Sequence, residues 1–259
     1  MIMNTSSYIV SDLQSERLVL PFYFLSDTHI STKSDADQEI RMKDMLALLE
    51  QIRESKGTLF ILGDFFDFWF DKKNYIPHTL KPVIASLHAL RKEGIEIHYL
   101  GGNHDFWIEG YLTQELGIHF YPDALQFNWN GKRIYCQHGD QVVYNNPQYP
   151  LIRRILHAPW AISLLKCLPI HWTYALGEHV SHYNQNISEI PRVSELMIGK
   201  MYDFLQEKLN SGFDIALSGH VHVPYIEMRD GKILAILGDW IHHRSYGLID
   251  ETGFKLIEK

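Results

Sequence analysis

Apolar residues fall into two rhythms along the first hundred positions. Continuous apolar runs at residues 18–25, 58–62 and 96–100 are bounded by turn formers, the pattern of strands buried on both faces. Between the first two runs, Met45, Leu46, Leu48, Leu49 and Ile52 recur at helical spacing behind acidic residues at Asp35 and Asp37, which predicts an amphipathic helix with a carboxylate at its start. A second helix is expected over 77–92, with Pro77 in its first turn and Gly94 as its stop. This β-α-β-α-β order predicts a mostly parallel sheet that offers ligands its C-terminal edge.

The second half changes rhythm. Residues 125–129 and 133–137 flank Asn130-Gly131, and 225–228 and 232–237 flank Arg229-Asp230-Gly231. A third pair, 246–250 and 254–258, flanks Glu251-Thr252-Gly253, and 213–218 reads as a further strand. Asn-Gly suits a primed two-residue turn, so the pairs read as hairpins. Hairpins after βαβ units predict an α/β fold in which two sheets form a sandwich with flanking helices. A short edge strand is expected around Tyr8-Ile9-Val10. Nothing divides the chain, so 1–259 reads as one domain with a helical insertion at about 145–200.

Five apolar runs end in residues able to hold a metal. They deliver Asp27 and His29, Asp64, Asn103 with His104 and Asp105, His138, and His220 with His222. One intervening residue separates Asp27 from His29 and His220 from His222, so extended strand ends would point each pair to one face. Asp, Asn and His without a thiolate suit Mn²⁺, Fe²⁺ or Zn²⁺. Two such ions, about 3.5–4 Å apart, need a bridging ligand, and Asp64 is the candidate. Asp67 and Asp140 are expected behind the ligands, orienting residues such as His138. A single His or Asp at a strand end is more often structural; five together describe one site.

Composition adds limits. The formal charge of −7 disfavours general affinity for nucleic-acid backbone. Two cysteines make no disulfide framework and fit a reducing, cytoplasmic setting; no apolar run is of signal-peptide or bilayer-spanning type. Within the acidic whole, residues 149–172 combine Leu, Ile and Trp with Arg153, Arg154, His157, Lys166 and His171 and contain no acid. The segment reads either as buried helices with solvated basic ends or as a lid that offers apolar surface and cations to an amphiphilic anion or a membrane surface.

In order, Asp-x-His, Gly-Asp-x-x-Asp, Gly-Asn-His-Asp, a lone His and Gly-His-x-His resemble the calcineurin-like metallophosphoesterases over residues 24–222. The resemblance implies a two-sheet sandwich and two divalent ions, manganese foremost: one on Asp27, His29, Asp64 and His222, the other on Asp64, Asn103, His138 and His220. Beside them, His104 would be either a phosphate ligand or, for an alkoxide leaving group, a general acid oriented by Asp105. A narrower likeness spans nearly the whole chain. Residues 63–69, His138-Gly139-Asp140 with Tyr149 and Arg153-Arg154, and Leu237-Gly238-Asp239-Trp240 resemble the UDP-2,3-diacylglucosamine pyrophosphatases of lipid A synthesis. That implies a nucleotide-linked acylated sugar as substrate, touched by Asn103, His104, Arg153, Arg154 and Lys166, and a peripheral place on the inner membrane. Many of those enzymes carry Arg where this chain has His104, which keeps open a different phosphodiester, phosphomonoester or nucleotide substrate.

Overall fold

The computed structural model describes residues 9–33, 35–71, 75–105, 108, 110–143, 158–170, 172–174 and 191–259. Its strands are β1 (Val10–Leu13), β2 (Phe22–Leu25), β3 (Thr58–Leu62), β4 (Ile97–Leu100), β5 (His119–Tyr121), β6 (Ala124–Trp129) and β7 (Lys132–Gln137). They continue with β8 (Ile215–Ser218), β9 (Pro224–Arg229), β10 (Lys232–Leu237), β11 (Tyr246–Asp250) and β12 (Gly253–Ile257). The helices are α1 (Ala36–Ser55), α2 (Lys81–Lys92), α3 (Asp140–Val143), α4 (Pro159–Cys167) and α5 (Pro191–Asn210).

The strands form two six-stranded sheets, ordered β12-β11-β2-β3-β4-β5 and β1-β6-β7-β8-β10-β9. Strands β2 to β5 run parallel, as do β7, β8 and β10 in the other sheet. Alternation on β3 shows how the layers are built. Leu59 and Ile61 point out to α1 and α2, where Met45, Leu48, Ile52, Val83 and Leu87 cover them. Phe60 and Leu62 point in, against Phe127, Ile134, Cys136 and Leu217 of the other sheet. Phe60 stacks on Phe24 at 4.8 Å and on Phe127 at 5.1 Å, so aromatic rings fill the centre of the sandwich. Met201, Leu205 and Leu209 of α5 cover the outer face of the second sheet at Ala216, Leu234 and Ile236.

Local signals act as expected at several joints. The Asp35 side chain accepts from the Gln38 N–H at 2.8 Å and caps α1. Asn130-Gly131 and Asp230-Gly231 both lie at positive φ, as a type I′ hairpin turn requires. Other boundaries differ. The first parallel strand starts at Phe22 rather than residue 18, because Pro21 has no N–H for a ladder. The segment from His78 to Leu80 forms a separate 3₁₀ turn, and the proline in the first turn of α2 is Pro82. Strand β5 was not expected: its three residues, His119 among them, carry no apolar run. The edge strand lies at Val10–Leu13, parallel to β6.

Of the helical insertion expected at about 145–200, residues 145–157, 171 and 175–190, with Arg153 and Arg154, lie outside the described residues. Helix α4 packs Leu165, with Ile170 and Tyr174, against Phe68 and Phe70 just beyond β3. Trp160, Leu164 and Trp172 are more than 60% exposed. No helix among the described residues is long and apolar enough to cross a membrane.

Candidate metal centre

The C-terminal ends of β2, β3, β4, β7 and β8 meet at one end of the sandwich. Backbone bonds lock the loops together there: Asp27 N–H donates to Gly63 O, His29 N–H to Asp64 O, and Gly219 N–H to His138 O. The candidate ligands are presented in left-handed conformations, with φ of 51° at Asp27, 43° at His29, 52° at Asp64, 69° at His220 and 63° at His222. Extended strand ends do not aim the Asp27/His29 and His220/His222 pairs; tight left-handed turns do. Such backbone costs of order 1–3 kcal/mol per residue and persists where surrounding structure imposes it.

All seven predicted ligands converge. His138 Nε2 lies 3.3 Å from Asp64 Oδ2, 3.1 Å from Asn103 Oδ1 and 3.2 Å from His220 Nδ1. His222 Nε2 lies 3.2 Å from Asp27 Oδ1 and 3.3 Å from His29 Nε2, which is itself 3.9 Å from Asp64 Oδ2. Asp64 therefore stands between two groups of donors. His138 Nδ1 faces the Leu62 carbonyl at 2.8 Å, so that nitrogen carries hydrogen and Nε2 is the atom turned into the cluster. Two glycines make the approach possible. A Cβ on Gly102 would sit 2.7 Å from Asp64 N and closer to its carboxylate, and one on Gly219 would sit 2.5 Å from Asp27 Oδ2.

The charge balance calls for cations. Asp27, Asp64, Asp67, Asp105, Asp140 and Asp239 are buried, and no Lys or Arg is buried among the described residues. Without a cation the histidines compensate. Burial would raise the Asp27 and Asp64 carboxyls, but His138 and its neighbours outweigh it and hold both below the usual carboxylate range. Burial pushes the His138 imidazole down, yet Asp64 and Asp27 raise it to about 10. Groups of ligand atoms within 4.8 Å form around Asp27–Asp64–His138–His220, Asp27–His29–His222 and His29–Asp64–His104. This clustered donor set fits divalent metal binding.

The remaining predicted residues divide. His104 is buried at the cluster, with Nε2 3.8 Å from Asp64 Oδ2. Its Nδ1 faces the Asp67 carbonyl at 2.9 Å rather than Asp105. Asp105 turns the other way: it accepts from Tyr99 OH, Gly102 N–H and Asp64 N–H, and so ties the β3 and β4 loops together. Burial, reinforced by Asp64, pushes its carboxyl up to about 8. Asp105 does not orient His104. Asp67 lies by His29, 3.8 Å from its Nδ1, rather than by His138. Asp140 opens α3 and acts on His138 and His220 through its charge. Lys166 is exposed and lines a cavity of about 1030 Å³ with Tyr75, His78, Lys81 and Tyr111, away from any ligand named above.

Sequence reasoning gave Asp239 no place of its own in the site. Its signal was present: Leu237-Gly238-Asp239 has the same apolar-Gly-Asp form as Leu62-Gly63-Asp64.

Comparison with known proteins finds relatives that share one name. A curated relative from Porphyromonas gingivalis, named UDP-2,3-diacylglucosamine hydrolase, is 29% identical over 246 residues, covering 89% of this chain and 94% of its own. Proteins of the same name from Haemophilus influenzae and Neisseria meningitidis are 29% and 25% identical, covering 89% and 88% of this chain and 95% and 92% of their own. Among solved structures, an archaeal phosphodiesterase is similar at 12% identity and a TM-score of 0.47, covering 93% of this chain and 100% of that one. The sequence model of the calcineurin-like phosphoesterases matches residues 20–224, a span that contains every residue of the cluster, and the chain belongs to that family.

Proposed function

We propose that the chain is a dimetal hydrolase that cleaves the pyrophosphate bond of UDP-2,3-diacylglucosamine, giving UMP and 2,3-diacylglucosamine 1-phosphate for lipid A synthesis. The observation that carries this reading is the convergence of six other predicted ligands around Asp64, in a chain whose relatives of that name match it over nearly its whole length. One ion would take Asp27, His29, Asp64 and His222, and the other Asp64, Asn103, His138 and His220. The donor set suits Mn²⁺, with Fe²⁺ and Zn²⁺ as alternatives. When bound, such a pair polarises phosphoryl oxygens and lowers the pKa of water.

The chain's own groups do the rest. His138, held by the Leu62 carbonyl, directs Nε2 inward, and Asp64 spans the two donor groups. His104 turns Nε2 towards the same space, while its Nδ1 hydrogen is committed to the Asp67 carbonyl. Burial pushes the His104 imidazole down, which favours the neutral ring, and in that ring Nε2 is the nitrogen without hydrogen. A phosphate leaving group has its second pKa at about 6 and departs without a strong acid. The geometry of His104 thus favours a pyrophosphate over an ester with an alkoxide leaving group.

Helix α4 would form one wall of the acyl-chain site, with Trp160 and Leu164 as apolar surface. Arg153 and Arg154 would be the cations that meet the sugar phosphate. The same surface would rest on the cytoplasmic face of the inner membrane. The test is direct: incubate the purified protein and Mn²⁺ with UDP-2,3-diacylglucosamine and identify products by mass spectrometry. UMP and the acylated sugar 1-phosphate in equal amounts are expected, with none when a chelator is present. Turnover of simple phosphodiesters with no cleavage of this substrate would overturn the assignment.

A further inference from the structure

Asp239 is completely buried at the end of β10, outside the donor groups, and faces one of their members, His222. Its oxygens divide their work. Oδ1 accepts the His242 N–H at 2.9 Å and the His243 N–H at 3.0 Å, and lies 3.2 Å from His243 Nδ1. Oδ2 faces His242 Nδ1 at 3.1 Å and His222 Nδ1 at 3.6 Å. His222 is therefore held between two carboxylates, Asp27 at Nε2 and Asp239 at Nδ1. The next residue grips the same side of the centre: Trp240 N–H donates to the Asp27 carbonyl, and its indole donates to Arg41 O. A closed loop fixes this pair, because Ser245 Oγ donates to Leu237 O and Ser245 N–H to Asp239 O.

We propose that Asp239 is a positioning residue for the metal centre: through Oδ2 it holds the hydrogen on His222 Nδ1 and reserves Nε2 for the ion shared with Asp27. The inference rests on the metal reading above. A carboxylate behind a ligating imidazole fixes the tautomer, aims the ring and raises its basicity, and its loss costs about 10–100-fold in metal affinity. The 3.6 Å separation is an electrostatic contact rather than a hydrogen bond, whereas Asp27 attracts the other nitrogen at 3.2 Å. The pull from Asp239 opposes that of Asp27 and keeps the ring directed between the two acids.

The division between oxygens supplies the experiment. Asp239→Asn, with its amide oxygen in the place of Oδ1, keeps both backbone contacts and puts an N–H₂ donor where Oδ2 faced His222. The metal-free variant should unfold at the wild-type temperature. It should bind one of two Mn²⁺ ions about 10–100-fold more weakly by equilibrium dialysis, with a changed visible spectrum when loaded with Co²⁺. His242→Ala, which removes the other imidazole at Oδ2, should keep wild-type affinity for both ions. Unchanged affinity and spectrum in Asp239→Asn, or an equal loss in His242→Ala, would overturn the proposal. A second measurement needs no folded Asp239 variant. ¹⁵N NMR of the metal-loaded wild type, with His222 assigned through His222→Gln, should show hydrogen on Nδ1 and metal at Nε2; the reverse would overturn it. A wild-type protein that binds no divalent ion would remove the metal reading itself, a result distinct from each of these.

Discussion

Gly102→Ala tests how closely the β3 and β4 loops must meet. An added Cβ would stand 2.7 Å from the Asp64 backbone nitrogen, 2.8 Å from its Cγ and nearer still to Oδ1 of its carboxylate. Ordinary contact begins near 3.4 Å, so the Asp64 side chain must retreat by about 1 Å. Rotation alone does not relieve the clash, because a backbone atom is also too close. Retreat lengthens the bond from His104 N–H to Asp64 Oδ1, now 2.9 Å, and disturbs the Asp105 contacts to Gly102 N–H and Asp64 N–H. Overpacking of this kind costs about 1–3 kcal/mol of stability, which a fold of this size survives. Activity should suffer more, since a 1 Å misplacement of a positioned group costs on the order of 10²-fold in rate. The assay is kcat on the UDP-lipid together with metal content by elemental analysis. A folded Gly102→Ala with wild-type kcat and metal content would refute the reasoning, because Asp64 would then tolerate displacement.

Four further expectations rest on particular side chains. His104→Arg should keep substantial activity on the UDP-lipid, since a phosphate departs without a proton from this residue; abolished turnover would restore the proton-donor role. Leu164→Asn should raise KM for the acylated substrate and leave a small chromogenic phosphodiester unaffected, because Leu164 is exposed on α4. Leu165→Asn, which enters the Phe68–Phe70–Tyr174 cluster, should lower thermal stability instead. Metal uptake should release protons. In the metal-free protein His138 stays charged up to about 10, above its ordinary value, so its ion pairing stabilises that form at neutral pH and is lost as pH rises through 10. An ion must displace that proton, so apparent metal affinity should fall as pH falls from 9 to 6, by about tenfold per unit for each proton released; a flat profile in calorimetry would contradict this.

What was legible in the sequence had a physical reason to be. Strand β3 shows as an apolar run because both its faces are covered, by α1 and α2 on one side and the opposite sheet on the other. Asp64 was visible because a buried strand that stops at Gly-Asp leaves a carboxylate at the sheet edge. Strand β5 was not legible: three residues with His119 exposed carry no period, and only pairing with β4 defines them. The direction of Asp105 was also hidden, since adjacency to His104 in sequence does not say that its carboxylate turns back to Tyr99. Left-handed backbone at Asp27 and His220 leaves no mark on a residue type other than glycine. Asp239 was missed as a site residue because its partner, His222, lies on a different loop.

The central claim is a two-ion centre with Asp64 between the ions. Elemental analysis of metal-free wild type and Asp64→Ala, each re-equilibrated with Mn²⁺ and freed of excess, tests it most directly. Two ions per chain are expected in the wild type and at most one in the variant, with turnover lower by orders of magnitude. Two ions retained by an active Asp64→Ala would contradict it.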